Sequence, residues 1–457
     1  MDYIKTAFKT FGFAAFGLFA CAASAETNLF GGLTDAESTE IKASDGNLDV
    51  VLNPNASDPT AEAFFKGNGN MIGSLKTTGT PSSWTISSGT TTIDINQAGE
   101  GSFDALTNNG SMSLSNSILE IVNSVGTSAV ANINVGDLTI KSYLSYLHIK
   151  TSANLSGSSI ASSDTGGDGG ISISNNSNVV SNVALKLGQG SNLNIEAGST
   201  FTQKASSSLS RTAVKNDGKL VFDTNETVNV WTADITGELT VVNAGFGIIS
   251  GFSSKISGNG KLFAKSFWIQ STSVDLNDNA KVTLGERGSI TLSTNSKLTL
   301  NAENAVSRTN GELADIFIPT DTYAGTPTLL VNADNKFNKL ILNGDSLKIA
   351  ITVADGAHLS FKEISVGDKA TLTIKDFVEG TIFVEDISGW ENIETVALST
   401  IDGTQYTDKE DLHWNKGKYI DGTEGFWLST TVPEPATCAL IFGAMAMAFA
   451  LRRRLGK

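Results

Sequence analysis

From about Gly67 to Phe377 the chain keeps one texture: short stretches in which apolar residues alternate with Thr, Ser, Lys or Asn, divided by Gly, Asn, Asp and Ser. Ser191-Asn192-Leu193-Asn194-Ile195, Gly237-Glu238-Leu239-Thr240-Val241, Ala280-Lys281-Val282-Thr283-Leu284 and Ala370-Thr371-Leu372-Thr373-Ile374 are representative, as are Lys297 to Leu300 and His358 to Phe361. Apolar residues two apart share one face of a strand, and the residues between them face the other way. The dividing residues tolerate the bends that end a strand. No helical periodicity is sustained here, so the pattern predicts an all-β body.

The strands also recur. Glycine followed by a polar–apolar alternation stands at Gly110, Gly136, Gly190, Gly218, Gly237, Gly260 and Gly288, and the last five are 28, 19, 23 and 28 residues apart. Spacings scattered around two dozen residues suit successive coils of an irregular β-solenoid, in which neighbours stack to bury a shared core. Near the end, Asp355-Gly356 and Val366-Gly367-Asp368 precede similar strands eleven residues apart. On this texture the region resembles the right-handed parallel β-helix of autotransporter passenger domains. A β-sandwich array is the alternative, favoured by the hairpin-type pairs Asn109-Gly110, Asp217-Gly218 and Asn343-Gly344.

Two stretches interrupt the texture. Residues 26–66 contain Ala61-Glu62-Ala63-Phe64-Phe65, a short helix or strand suited to an N-terminal cap. Residues 378–430 gather Trp390, Trp414 and Trp427 with Glu385, Asp386, Glu391 and Glu394, and carry turn-then-strand units at Ile401-Asp402-Gly403 and Ile420-Asp421-Gly422. They are expected to form a C-terminal cap over a body spanning 67–377, because an open terminal coil exposes strand edges. The alternative is a carbohydrate-contacting patch of tryptophans.

The two ends read differently. Lys5 and Lys9 precede an uncharged run from Phe11 to Ala20, and Ala23-Ser24-Ala25 offers small residues for cleavage. This is the layout of a secretory signal peptide over residues 1–25, with Ala23 and Ala25 at the cleavage site. A lipoprotein site at Cys21 is a rival. At the other end, Val432-Pro433-Glu434-Pro435-Ala436 leads into sixteen uncharged, mostly apolar residues, 436–451, followed by Arg452, Arg453 and Arg454. As a helix these would measure roughly 24 Å, a transmembrane segment slightly short of the hydrocarbon core, which snorkelling arginines can complete. The arginines would anchor on the cytoplasmic side.

Motif, apolar stretch and basic end together resemble the PEP-CTERM sorting signal of Gram-negative bacteria, here residues 431–457. The resemblance implies recognition of Pro433, Glu434 and Pro435 by an exosortase, export by the general secretion machinery, and transient anchoring in the membrane. It further implies residence at the cell surface or in an extracellular matrix, in association with exopolysaccharide or biofilm.

Charge and chemistry narrow the body's role. The chain carries −15; leader and tail would remove +1 and +3, so the processed body carries −19. Such acidity repels phosphate backbones and argues against nucleic acid as a partner. Cys21 and Cys438 are the only cysteines, so the body holds no disulfide, thiol nucleophile or cysteine-ligated metal. His148, His358 and His413 are far apart, and no cofactor or metal is expected. Asp164 to Gly170 is a lone glycine–aspartate run, better read as a projecting loop than as a calcium repeat. Stacked coils could pair acids such as Asp234, Asp275, Asp278 and Asp345 as the two carboxylates of a glycan-cleaving enzyme. A structural or adhesive surface protein that is not an enzyme is the leading expectation, and a polysaccharide hydrolase or lyase the alternative.

Overall fold

The computed structural model describes residues 84–431, apart from 96, 109, 127, 142–143, 163–168, 294, 321–324, 343, 345–346 and 367–368, together with the strands Thr27–Asn28, Val50–Leu52, Ala63–Lys66, Gly69–Ile72 and Leu75–Thr77. The fold is an all-β solenoid of the right-handed type. The sandwich alternative is excluded, because successive strands pair in parallel at a spacing of one coil. Antiparallel pairing among the described residues is confined to the region after Ile382. Of residues 61–65, Ala63, Phe64 and Phe65 belong to a strand, Ala63–Lys66, paired in parallel with Trp84–Ser87, and the first two lie outside the described residues. The signal peptide, its cleavage residues Ala23 and Ala25, the sorting motif Pro433–Pro435, the 436–451 segment and the three arginines lie outside the described residues. Among the described residues no helix is long and apolar enough to cross a membrane.

The chain divides into two compact units, the first covering most of the residues up to Glu312 and the second most of those from Leu313 onward. In the first unit each coil contributes three strands. One face is a 13-stranded sheet among the described residues, ending at Val306–Arg308. Its register follows Ala131, Ala153, Val179, Phe201, Leu220, Leu239, Leu262, Val282 and Val306, so a coil takes between 19 and 26 residues. Strands such as Asp137–Ile140, Phe246–Ile249 and Phe267–Gln270 form a second face. Tyr146–Ile149, Ser191–Ile195, Ser254–Ile256 and Ser273–Leu276 belong to the third. Where a strand is long enough, as in Ser111–Val122 or Val228–Ile235, it bends round the corner and pairs with strands of both faces.

The period-2 pattern explains the core. In Thr200–Gln203, Lys219–Phe222 and Glu238–Val241 the alternate residues Phe201, Leu220, Phe222 and Leu239 are fully buried. Their neighbours Thr202, Val221 and Thr240 are only partly covered. Apolar side chains one coil apart then stack, about 4.8 Å per step. Phe246 and Phe267 do so with centroids 6.1 Å apart and planes at 22°.

Corners cannot use the sheet ladder, so buried amides satisfy their carbonyls instead. Asn108 Nδ2 donates to the carbonyls of Gly110 and Val135 at 2.9 and 2.7 Å, and Gln203 Nε2 to those of Val183 and Ala205 at 2.7 and 2.8 Å. Outside, asparagines at equivalent turns bond coil to coil, as Asn225 with Asn243 at 3.1 Å. The recurring glycines belong to these corners, but to different ones. Gly110 and Gly136 precede second-face strands, whereas Gly218, Gly237 and Gly260 precede first-face strands. Gly190 precedes a third-face strand and Gly288 a second-face one, so the irregular gaps seen in the sequence mix corners of all three faces.

The second unit uses longer strands, two to each of its later coils. Asn335–Leu342 pairs with Leu359–Val366, and that strand with Ile382–Asp386, bringing Phe337, Phe361 and Val384 into one file. The hairpin His413–Lys418 and Glu424–Ser429 then docks antiparallel on Ile382–Asp386. Its outer strand carries Lys416 and Lys418, and charged side chains of this kind discourage further strand addition. Both turn-then-strand units are hairpin turns, with Gly403 and Gly422 at φ +89.

Candidate functional site

The registers of the third face align outward side chains of successive coils into files. One file runs Glu120, His148, Ser172, Asn194, Lys215, Asp234, Lys255, Asp275. In its last four positions cation and anion alternate, and Lys255 Nζ lies 3.3 Å from Asp234. Lys215 Nζ lies 3.5 Å from Asp217. Two residues earlier in each strand stand small side chains: Asn192, Ala213 and Thr232, followed by Ser253. The difference in size between the two files hollows out a groove of about 490 Å³, lined by Asn192, Ala213, Thr232, Asp234, Phe252, Lys255 and Asp275 among others.

An aromatic pair stands at the edge of this groove. Trp231 sits where Val228–Ile235 turns from the second face to the third, and its ring is 5.1 Å from that of Phe252 one coil on, at 57°. The Trp231 indole N–H donates to the carbonyl of Ser250. Gly251 makes this possible: a Cβ there would lie 2.5 Å from Trp231 Cδ1. The indole is therefore held against the next coil, while Phe252 remains 67% exposed.

The candidate acids separate. Asp234 and Asp275 line the same groove two coils apart, with Lys255 in register between them. Asp278 instead accepts the N–H of Gly258 at 2.9 Å, a corner contact between coils. Asp345 and the Asp164–Asp168 portion of the glycine-rich run lie outside the described residues. Among the described residues no three His, Cys, Asp or Glu side chains converge as a metal site.

The histidines are dispersed. His148 is half-buried beside Tyr146, with ring centroids 5.3 Å apart. Burial holds its pKa below the ordinary 6.5, Lys150 adds to this, and Glu120 and Glu196 oppose it. The unfolded chain therefore takes up this proton before the folded one. The stability His148 contributes is present above pH 6.5 and is lost as the pH falls through its lower folded value. The expected outcome is an NMR titration midpoint for His148 below 6.5. In addition, the stability of the wild type relative to His148→Gln should fall on acidification, as read by urea melts at pH 7.5 and 5.5. A flat difference would contradict it.

His358 belongs to the second unit, where its Nδ1 lies 2.8 Å from Asp334 Oδ1 and its ring packs edge-on to Tyr419 and Trp427. His413 is half-buried on the outer strand of the hairpin, opposite Ser429. The tryptophans considered as a sugar platform are packed within this unit. Trp390 is 6% exposed and meets Trp414 edge-on at 5.1 Å, and Trp427 stacks on Tyr419 beside Phe383. Tyr419 is pushed up to about 12, chiefly by burial and further by Asp334, Asp421 and Glu303.

The aromatic residues at the groove, Trp231 and Phe252, were not singled out from sequence, nor were Lys215 and Lys255. A signal existed: Lys215, Asp234, Lys255 and Asp275 follow one another at 19, 21 and 20 residues, and Trp231 precedes Phe252 by 21, each one coil. Comparison with protein-family models, curated proteins and solved structures found no match.

Proposed function

We propose that the chain is an exported cell-surface or extracellular-matrix protein with a structural or adhesive role toward extracellular polysaccharide. The observation that carries this reading is the third-face groove, which joins the exposed Phe252, backed by the half-buried Trp231, to a file of hydrogen-bonding side chains. Such a surface holds sugars by stacking and by multiple weak hydrogen bonds. The sequence of the two ends supports the address: a secretory leader ending at Ala25, and Pro433, Glu434 and Pro435 for an exosortase, with transient anchoring through 436–451 and Arg452 to Arg454. The acidity of the body argues against nucleic acid as a partner.

A polysaccharide-cleaving enzyme is the second reading, favoured by Asp234 and Asp275 sharing one groove. Against it, Lys255 stands in register between the two, where a water or a sugar oxygen would have to sit. The test is to incubate the purified full chain with a panel of polysaccharides and follow both binding and end groups. Retention without new reducing or unsaturated ends is expected. Release of such ends, abolished by Asp234→Asn or Asp275→Asn, would overturn the proposal.

A further inference from the structure

We infer that the groove beside Trp231 and Phe252 takes an extended, uncharged, hydroxyl-rich polysaccharide chain rather than a polyanionic one. This rests on the polysaccharide reading above and names its site and ligand class. The groove lining runs from Asn192 to Asp275 across five consecutive coils, about 19 Å along the solenoid axis. That length suits several linked sugar units rather than one small molecule.

The side chains then select the ligand's charge. Lys215, Asp234, Lys255 and Asp275 alternate in sign, so a polyanion meets a carboxylate at every second coil and a polycation meets an ammonium. The −19 body adds a general repulsion of polyanions. Neutral sugars avoid both penalties: their hydroxyls donate to Asp234 and Asp275 and accept from Lys215 and Lys255. Among the described residues Asp275 makes no hydrogen bond or ion pair, which leaves both its oxygens to a ligand. The C–H faces of a sugar ring complete the match, because Phe252 projects from the groove and Trp231, held in place at Gly251 and by its bond to Ser250, packs beside it.

The test measures affinity of the full chain for soluble neutral glucan, mannan and galactan and for a polyuronate of similar length, by titration calorimetry and affinity gels. At least one neutral chain should bind more tightly than the polyuronate. Trp231→Ala should weaken it roughly three- to tenfold. Phe252→Ser provides a second variant whose ring is already exposed, so its circular dichroism should match the wild type while affinity falls. Tighter binding of the polyuronate overturns the inferred ligand class. Unchanged affinity in both variants overturns the site and leaves the surface-protein reading standing. Failure of every polysaccharide to bind overturns both.

Discussion

Gly237→Val is expected to cost the fold about 3 kcal/mol, at the upper end of what overpacking in a close-packed region exacts. A Cβ at this corner would lie 2.0 Å from the carbonyl oxygen of Gly218 and 2.7 Å from the carbonyl carbon of Asp217, which are backbone atoms of the preceding coil. They are not free to yield. Gly237 N–H donates to the Asn216 carbonyl at 3.0 Å, and Asn216 Nδ2 donates to the Glu238 carbonyl at 2.8 Å. The neighbouring Thr236 hydroxyl is bonded to Asp217 at 2.5 Å. Relief would require parting two coils. Because each coil touches mainly its neighbours, the damage should stay local. Hydrogen exchange should lose protection at Lys219–Phe222 and Glu238–Val241 and retain it at Ala129–Asn134. Gly258→Ala is the comparison, a turn with φ +62 but open space around the new methyl, expected to cost only about 1 kcal/mol. Equal urea midpoints for the two variants would refute the stacked-corner account.

That contrast also marks how much of the fold was legible. Strand positions were, because a half-buried strand writes its burial directly into a period of two: Ser191–Ile195, Lys281–Leu284 and Ala370–Phe377 all lie where the alternation places them. Parallel coiling was legible as an irregular recurrence. Which corner each glycine serves was not. Gly136, at φ +56, is needed for its conformation and for its approach to the Gly110 carbonyl. Gly237 is needed only for its closeness to the coil before, and both look alike in sequence.

The groove was half legible for a related reason. Asp234 and Asp275 could be named as acids, but their meaning depends on register. Lys255 falls between them only because Asp234 pairs with Lys255 and Lys255 with Asp275. A shift of one residue in either coil would turn the lysine inward and bring different neighbours together. Trp231 looked like one more apolar residue of a strand. Its partial exposure arises at a bend, where the strand leaves one face for the next and the period of two breaks. In the second unit Trp390 and Trp414 meet each other, a contact that their positions in the sequence do not show.

The closing hairpin should prove the most vulnerable packing in the second unit. Phe383→Ala is expected to destabilise that unit by about 3–5 kcal/mol, the range for emptying a fully buried phenylalanine site. Phe383 is 0% exposed and lies opposite Trp427 in the antiparallel register, with its ring 5.0 Å from that of Trp427 and 5.2 Å from that of Tyr419. Gly425 is shaped to it, since a Cβ there would approach the Phe383 ring to 2.5 Å. Outside this cluster the hairpin is held by the Trp390–Trp414 contact, by its backbone pairing and by surface contacts. Lys336 pairs with Asp421 and lies 4.5 Å over the Tyr419 ring, and Glu379 accepts from Thr430 at 2.7–2.8 Å. Exposed contacts of this kind are each worth little, so the aromatic cluster carries the docking. Without it, the free edge of Ile382–Asp386 becomes a template for another chain's strand. The variant should therefore lose exchange protection first in Glu424–Ser429, and light scattering should show concentration-dependent association. Association should be weaker in Lys336→Ala, which removes the surface pair and leaves Phe383, Tyr419 and Trp427 packed. If Lys336→Ala associated as readily as Phe383→Ala, the edge would owe its protection to charge rather than to the buried rings.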